Sequence, residues 1–157
     1  MLPHKFSTSG FCSVITQFKG TWFSVVPTQI SYLLHATASP GDPAPGNSVL
    51  RFGRSASAPL SPEVQQKFED RFGVAIIETM GLTETAAPIL SNPLPPAVRK
   101  IGSPGIAYGC EVIIADKELK EVPFVVEGEI LVRGDNVMKG YLKNTEPTAE
   151  AISDSNG

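Results

Sequence analysis

Between Val49 and Thr79 the chain spells out a strand, a helix and a second strand, an order that leaves few folds open. Val49–Arg54 reads as the first strand. Ser61 then stands where a helix N-cap belongs, with Pro62 at the first helical position and Glu63 in the first turn. Val64, Phe68 and Phe72 recur at every fourth position and draw an apolar stripe. Gln66, Glu69 and Asp70 fall on the far side, and Gly73 closes the helix. Val74–Thr79 resumes as a strand, opening on the apolar run Val74-Ala75-Ile76-Ile77. Such a βαβ unit joins parallel strands by a crossover that is almost always right-handed. The connectors "SASAPLS" (Ser55–Ser61) and "MGLTETAAP" (Met80–Pro88) are therefore expected at the same carboxyl edge of the sheet, where open α/β sheets bind ligands.

Flanking patterns extend this reading. Phe11, Val14, Ile15 and Phe18 share one helical face, with Gly20 as the expected stop. Thr21–Val26 is rich in aromatic and β-branched residues and reads as a strand. Pro27 opens another helix carrying Ile30, Leu33 and Leu34. Residues 38–47, "ASPGDPAPGN", hold too many prolines and glycines for a regular element and read as a surface loop. After Asn92 the run "NPLPPAVRKIGSPG" breaks the pattern. Beyond it, Glu111–Ala115 and Glu129–Val132 read as antiparallel strands around the charged turn Asp116–Glu121, and Glu146–Ile152 as a helix. The expected fold is α/β: parallel βαβ units over Thr21–Thr79, then a β-rich part with antiparallel strands. The expected division is 1–91 and 92–157.

With 157 residues, 41% of them apolar and 18% charged, the chain can bury a core. Thirteen Lys and Arg against sixteen Asp and Glu give a net charge of -3, so there is no cationic excess for a nucleic-acid backbone or an anionic membrane. Cys12 and Cys110 lack a second cysteine or histidine at ligand spacing and are expected as reduced thiols. Met1–Phe11 has neither the apolar core nor the cleavage site of a signal peptide. No apolar run approaches the roughly 20 residues of a membrane-spanning helix. A cytoplasmic protein is the expectation.

The P-loop, the G-x-G-x-x-G turn, H-E-x-x-H and C-x-x-C are all absent. Gly53-Arg54-Ser55-Ala56-Ser57 lies where a nucleophile elbow would sit, but Ser57 replaces the second glycine. Both histidines, His4 and His35, also precede Ser55, which is the wrong order for that hydrolase fold. Thr83 and Glu84 are different. Side by side behind Gly81, they offer a hydroxyl donor and a hard oxygen ligand, the pair that phosphate and magnesium require. The alternative is a plain turn, with Thr83 capping the next segment and Glu84 facing water.

Four blocks then occur in order: "SASAPLSPEVQQKF", "MGLTET", "KIGSPG" and "GEILVRGDNVMKGYLKN". In these the chain resembles the acyl-CoA synthetases of the adenylate-forming (AMP-binding) superfamily, whose members also include firefly luciferase and peptide-synthetase adenylation domains. The resemblance runs from about Phe11 to the end. It implies an acid:CoA ligase that uses ATP, Mg2+ and coenzyme A, joining a fatty or small organic acid to AMP and passing it to the thiol. It further implies that Thr83 hydrogen-bonds the phosphates, that Glu84 holds the magnesium, and that the backbone around Ser57, Ala58 and Pro59 lines the adenine. Glu78 and Thr79 would border the adenine and acyl pockets. The family usually has an aromatic residue before the glycine equivalent to Gly81; here it is Met80, whose polarizable sulfur can still pack on a purine. The run "SNPLPP" with "RKIGSPG" is similar to what oxalate and related small-acid ligases show after this motif. By the same resemblance, a phosphate loop should precede residue 1. The ribose-binding aspartate, a hinge and a C-terminal domain with a catalytic lysine should follow residue 157. The expectation is an internal piece of the large N-terminal domain, with the rest of a synthetase as its partner. The alternatives are a non-catalytic remnant and a peptide-synthetase adenylation domain.

Overall fold

The structure is a computed structural model that describes residues 6–36, 49–86 and 88–152. The loop read at 38–47, His4 and the start of the chain lie outside the described residues. The chain divides into two compact units, one of Met1–Met80 with Leu90–Ile106 and the other of Gly81–Ile89 with Ala107–Gly157.

In the first unit the order is α1 (Thr8–Gln17), β1 (Trp22–Val25), α2 (Pro27–His35), β2 (Phe52–Ser55), α3 (Pro62–Phe72) and β3 (Ile76–Gly81). Strands β1, β2 and β3 are parallel neighbours, with Val25 opposite Ser55 and Ser55 opposite Glu78. The sheet continues through β4 (Pro88–Ser91), for which the sequence carried no strand signal, and β5 (Ile106–Ala107). The expected α/β fold with parallel βαβ units is the one observed.

Local chemistry sets the helix ends. Ser7 caps α1 through the Gly10 amide, 3.3 Å away. This helix stops at Gln17, and Lys19 takes the left-handed conformation (φ 49°) just ahead of the expected stop at Gly20. Pro27 opens α2, and the Gln29 side chain accepts from the Val26 amide at 3.0 Å. In α3, Pro62 begins the helix and Gly73, at φ 63°, ends it as a left-handed cap. Ser61 holds the N-cap position, but its side chain makes no capping bond.

Alternation along the strands gives the sheet two faces. One carries Phe23, Val25, Gly53 and Ile76, and the helices pack on it to bury Ile30, Leu33, Leu60, Phe68 and Phe72. Phe11 meets Phe23 edge-on at 5.1 Å, and Phe68 lies 4.5 Å from Phe72. Gly53 makes this contact possible, because a Cβ there would stand 2.2 Å from the Phe23 ring. Burying a side chain such as Phe68 stabilises the fold by about 1.5–3 kcal/mol.

The polar side of α3 carries a partly buried ion pair. Glu69 is not turned to water. Arg99 grips both its oxygens at 2.6 and 2.9 Å, while Gln65 and the Ile76 amide each donate to Oε1 at 2.9 Å. Burial pushes the Glu69 carboxyl up, but the bonds from Arg99, Gln65 and Ile76 outweigh it and hold the group below the usual carboxylate range. Gln65, 2% exposed, also donates to the Ile76 carbonyl at 3.1 Å. The partner that turns Glu69 inward lies 30 residues downstream, so no local periodicity announces it.

Through that pair the stretch from Asn92 to Ile106 packs with the first unit rather than with the antiparallel strands that follow it. Asn92 fixes the bend by accepting from the Lys100 amide at 2.9 Å and donating to the Ser103 carbonyl at 2.6 Å.

The second unit is built on an antiparallel pair, β6 (Glu111–Ala115) and β7 (Glu129–Arg133), with Ile113 opposite Leu131. Asp116 nucleates the charged turn by accepting from the amides of Glu118 and Lys120, both at 2.9 Å. Helix α4 spans Thr145–Ala151. Among the described residues no helix is long and apolar enough to cross a membrane.

Candidate functional site

Parallel pairing of β2 and β3 brings their carboxyl ends to one edge of the sheet, as the sequence implied. Beyond β2 the chain turns at Ser57, whose φ of 77° is left-handed, and leaves Ser57, Ala58 and Pro59 exposed before Leu60 returns to the core. Glu78 secures that loop: its Oε1 accepts from the Leu60 amide at 3.3 Å. Both Glu78 and its register partner Ser55 are buried, at 7% and 1% exposure, and Glu78 Oε2 and Ser55 Oγ take no hydrogen bond. Buried oxygens without partners are costly, so a water or ligand donor reaching them would be favoured.

Thr79 points to the opposite face of β3. It accepts from Arg54 Nε at 3.0 Å, and its hydroxyl lies 3.4 Å from the Ser55 carbonyl. Met80, half-buried, follows it. The nucleophile alternative finds no support, since Ser55 is sealed in the helix-covered face. His35 is exposed on α2, where Nδ1 donates to the Ser31 carbonyl at 2.7 Å.

In the second unit, Gly81 is exposed and leads into a short 3-10 turn, Thr83–Thr85. The turn is closed on itself by Thr85, whose hydroxyl accepts from the Leu82 amide and donates to the Leu82 carbonyl, both at 3.1 Å. Three bonds from the segment after β7 hold it: Asn136 Nδ2 to the Thr85 carbonyl (3.1 Å), the Met138 amide to the Glu84 carbonyl (2.7 Å), and the Tyr141 hydroxyl to Glu84 Oε1 (2.5 Å). Tyr141 is itself anchored, its amide donating to Thr148 of α4 at 2.9 Å. The phenol hydrogen bond keeps the Glu84 carboxyl below its ordinary value and raises the Tyr141 hydroxyl above its own.

Neither Tyr141 nor Asn136 stood out from spacing, although both lie in the block "GDNVMKGYLKN". Glu84 is thus oriented rather than loose, and one hydrogen bond leaves most of the carboxylate's lone pairs open. The Thr83 hydroxyl is exposed and makes no hydrogen bond among the described residues. No group of three or more His, Cys, Asp and Glu able to hold a metal occurs among the described residues, so a metal held by protein ligands alone does not fit. Magnesium does fit, because it is commonly held by one or two carboxylates together with waters and substrate phosphates.

A family model for AMP-binding enzymes matches residues 1–142. The chain belongs to the AMP-binding enzyme family. Among curated AMP-binding relatives, it is 45% identical to the sulfoacetate–CoA ligase of Cupriavidus necator over 153 residues, covering 98% of this chain and 29% of that protein. It is 34% identical to the oxalate–CoA ligase of Saccharomyces cerevisiae over 150 residues, covering 96% of this chain and 27% of that one. Among solved structures, ATP-bound MatB from Rhodopseudomonas palustris superposes with a TM-score of 0.82 at 28% identity, covering 96% of this chain and 29% of that one. The chain therefore spans under a third of the length of the curated relatives it matches.

Proposed function

We propose that this chain supplies part of the ATP and acid site of an acid:CoA ligase, in which a carboxylic acid is joined to AMP with release of pyrophosphate and then transferred to coenzyme A. The observation that carries this reading is Glu84, held by Tyr141 on the turn directly after β3 with coordinating capacity to spare. Glu84 would hold a magnesium ion, which when bound neutralises charge on the phosphates. Thr83 donates a hydrogen bond to a phosphate oxygen. The backbone at Ser57, Ala58 and Pro59, fixed by Glu78 through Leu60, lines the adenine, and Met80 packs its thioether against the purine. Thr79, on the other face of β3, borders the acyl group. Coenzyme A as acceptor is supported by the curated relatives, which are CoA ligases. A cytoplasmic location goes with these cosubstrates. The acids named for those relatives, sulfoacetate and oxalate, are small and each bears a second acidic group.

Calorimetric titration of ATP into the protein, with and without Mg2+, tests the reading. Binding is expected to depend on Mg2+ and to lose that dependence in Glu84→Ala. Binding that ignores both the metal and the substitution would remove Glu84 from the site. Pyrophosphate release by the 157-residue chain, assayed with a panel of carboxylic acids, separates turnover from binding alone.

A further inference from the structure

Trp22, Ser24, Phe52, Arg54 and Thr79 alternate onto the face of β1–β3 opposite the helices of the first unit. Trp22 and Phe52 stack there, with ring centroids 5.9 Å apart. Arg54 is the cation on this face. It is half-buried in the central one of the three strands, an unusual place for a charge unless something compensates it. Its neighbours do so only in part: Nε donates to Thr79 Oγ1 at 3.0 Å and Nη1 lies 3.4 Å from Ser24 Oγ, both neutral hydroxyls.

The other arginines of this unit that hold polar partners are differently occupied. Arg99 is matched to a carboxylate, and Arg71 to three backbone carbonyls. Arg54 makes no ion pair among the described residues. A guanidinium has five N–H donors in a planar fork, and these two hydrogen bonds leave further donors without an acceptor among the described residues. The two hydroxyls hold the fork in place across adjacent strands without neutralising it. That arrangement suits a small anion with two or three oxygens, which can take the fork bidentately.

Given the ligase reading above, on which this rests, we propose that Arg54 recognises a second anionic group, a carboxylate or a sulfonate, on the acid that the site takes. Thr79 and Ser24 act as positioning residues that aim its guanidinium. The substrate class is then a short acid bearing two anionic groups rather than a fatty or simple monocarboxylic acid.

The test is an NMR titration of the chain carrying 15N-labelled arginine, following the Arg54 Nε–H signal, which is assigned by its loss in Arg54→Lys. Sulfoacetate, oxalate, acetate and hexanoate are added at constant ionic strength. Sulfoacetate or oxalate is expected to move the signal with an affinity roughly tenfold or more above that for acetate, as for a hydrogen bond to a charged group. The preference should shrink in Thr79→Val, which keeps the arginine and removes its guide. Equal affinity for one- and two-charge acids, or no movement of the Arg54 signal by either dianion, overturns the proposal. Mg2+-dependent ATP binding measured on the same sample reports on the ligase reading separately. ATP binding with no acid preference defeats the Arg54 assignment alone, whereas an acid preference without ATP binding defeats the ligase reading.

Discussion

Glu69 and Glu84 are both carboxylates held below the ordinary value, one in each compact unit, and they are held in opposite styles. Glu69 lies under Arg99, Gln65 and the Ile76 amide, with four hydrogen bonds on its two oxygens. Glu84 is steadied chiefly by the Tyr141 phenol, with a smaller contribution from its own backbone amide, and keeps room for further ligands. A saturated carboxylate locks a segment in place, while an oriented but unsaturated one remains available for chemistry. The contrast separates an acid whose oxygens are fully engaged from one that the ligase reading proposed above assigns to a metal, where sequence alone offers two similar glutamates.

Replacing Arg99 should give the largest effect that bears on this contrast. With side chains only 19% and 14% exposed, the Arg99–Glu69 pair is shielded enough that Arg99→Ala is expected to cost about 2–4 kcal/mol, read as a lower urea midpoint. A loss below about 1 kcal/mol would mean that Glu69 is no more committed than Glu84. Acid should act next. The folded Glu69 carboxyl titrates below its unfolded value of 4.5, so its contribution is fully present above that value and is lost as pH falls through the depressed folded value. Urea midpoints of the native chain should therefore drop over that range more steeply than those of Glu69→Gln, and parallel curves would contradict the assignment.

Tyr141→Phe should scarcely change the unfolding midpoint. It should bring the Glu84 carboxyl back up toward its ordinary value in a 13C-detected titration, and an unchanged carboxyl would show that the phenol does not hold it. The smallest effect is expected at the exposed Arg133–Glu111 pair of β6 and β7, where side chains are 62% and 68% exposed. There, Glu111→Ala should cost less than about 1 kcal/mol and the cost should vanish in salt, as a denaturation series with and without added salt would reveal.

What the sequence disclosed was the part governed by neighbours along the chain. Pro62 and Gly73 bracket α3, the apolar stripe at every fourth residue marks its inner face, and the order of elements makes β2 and β3 parallel neighbours. Thr83 and Glu84 were legible as a candidate pair beside Gly81, with the role proposed for them above. The side chains that orient the site were not, because their partners are remote: Tyr141 reaches Glu84 across 57 residues, and Arg54 reaches Thr79 across 25. β4 escaped notice because Pro88 opens it, and its four residues are too few to display an alternation. The periodicity that correctly placed Phe68 is silent on the fate of Glu69, since a helical stripe reports which side is apolar but not which polar groups will find a buried cation.

Arg71 is the last residue whose contacts bear on how the chain is put together. Its guanidinium on α3 donates to the carbonyls of Leu33, Leu34 and Ala36 at the end of α2, which no longer depend on the intervening residues to be satisfied. This side chain fastens the two helices to each other, beside the apolar packing of Ile30 and Leu33 with Phe68 and Phe72. Losing Arg71 would consequently strip three carbonyls at the tail of α2 of their shared donor and loosen that end from α3.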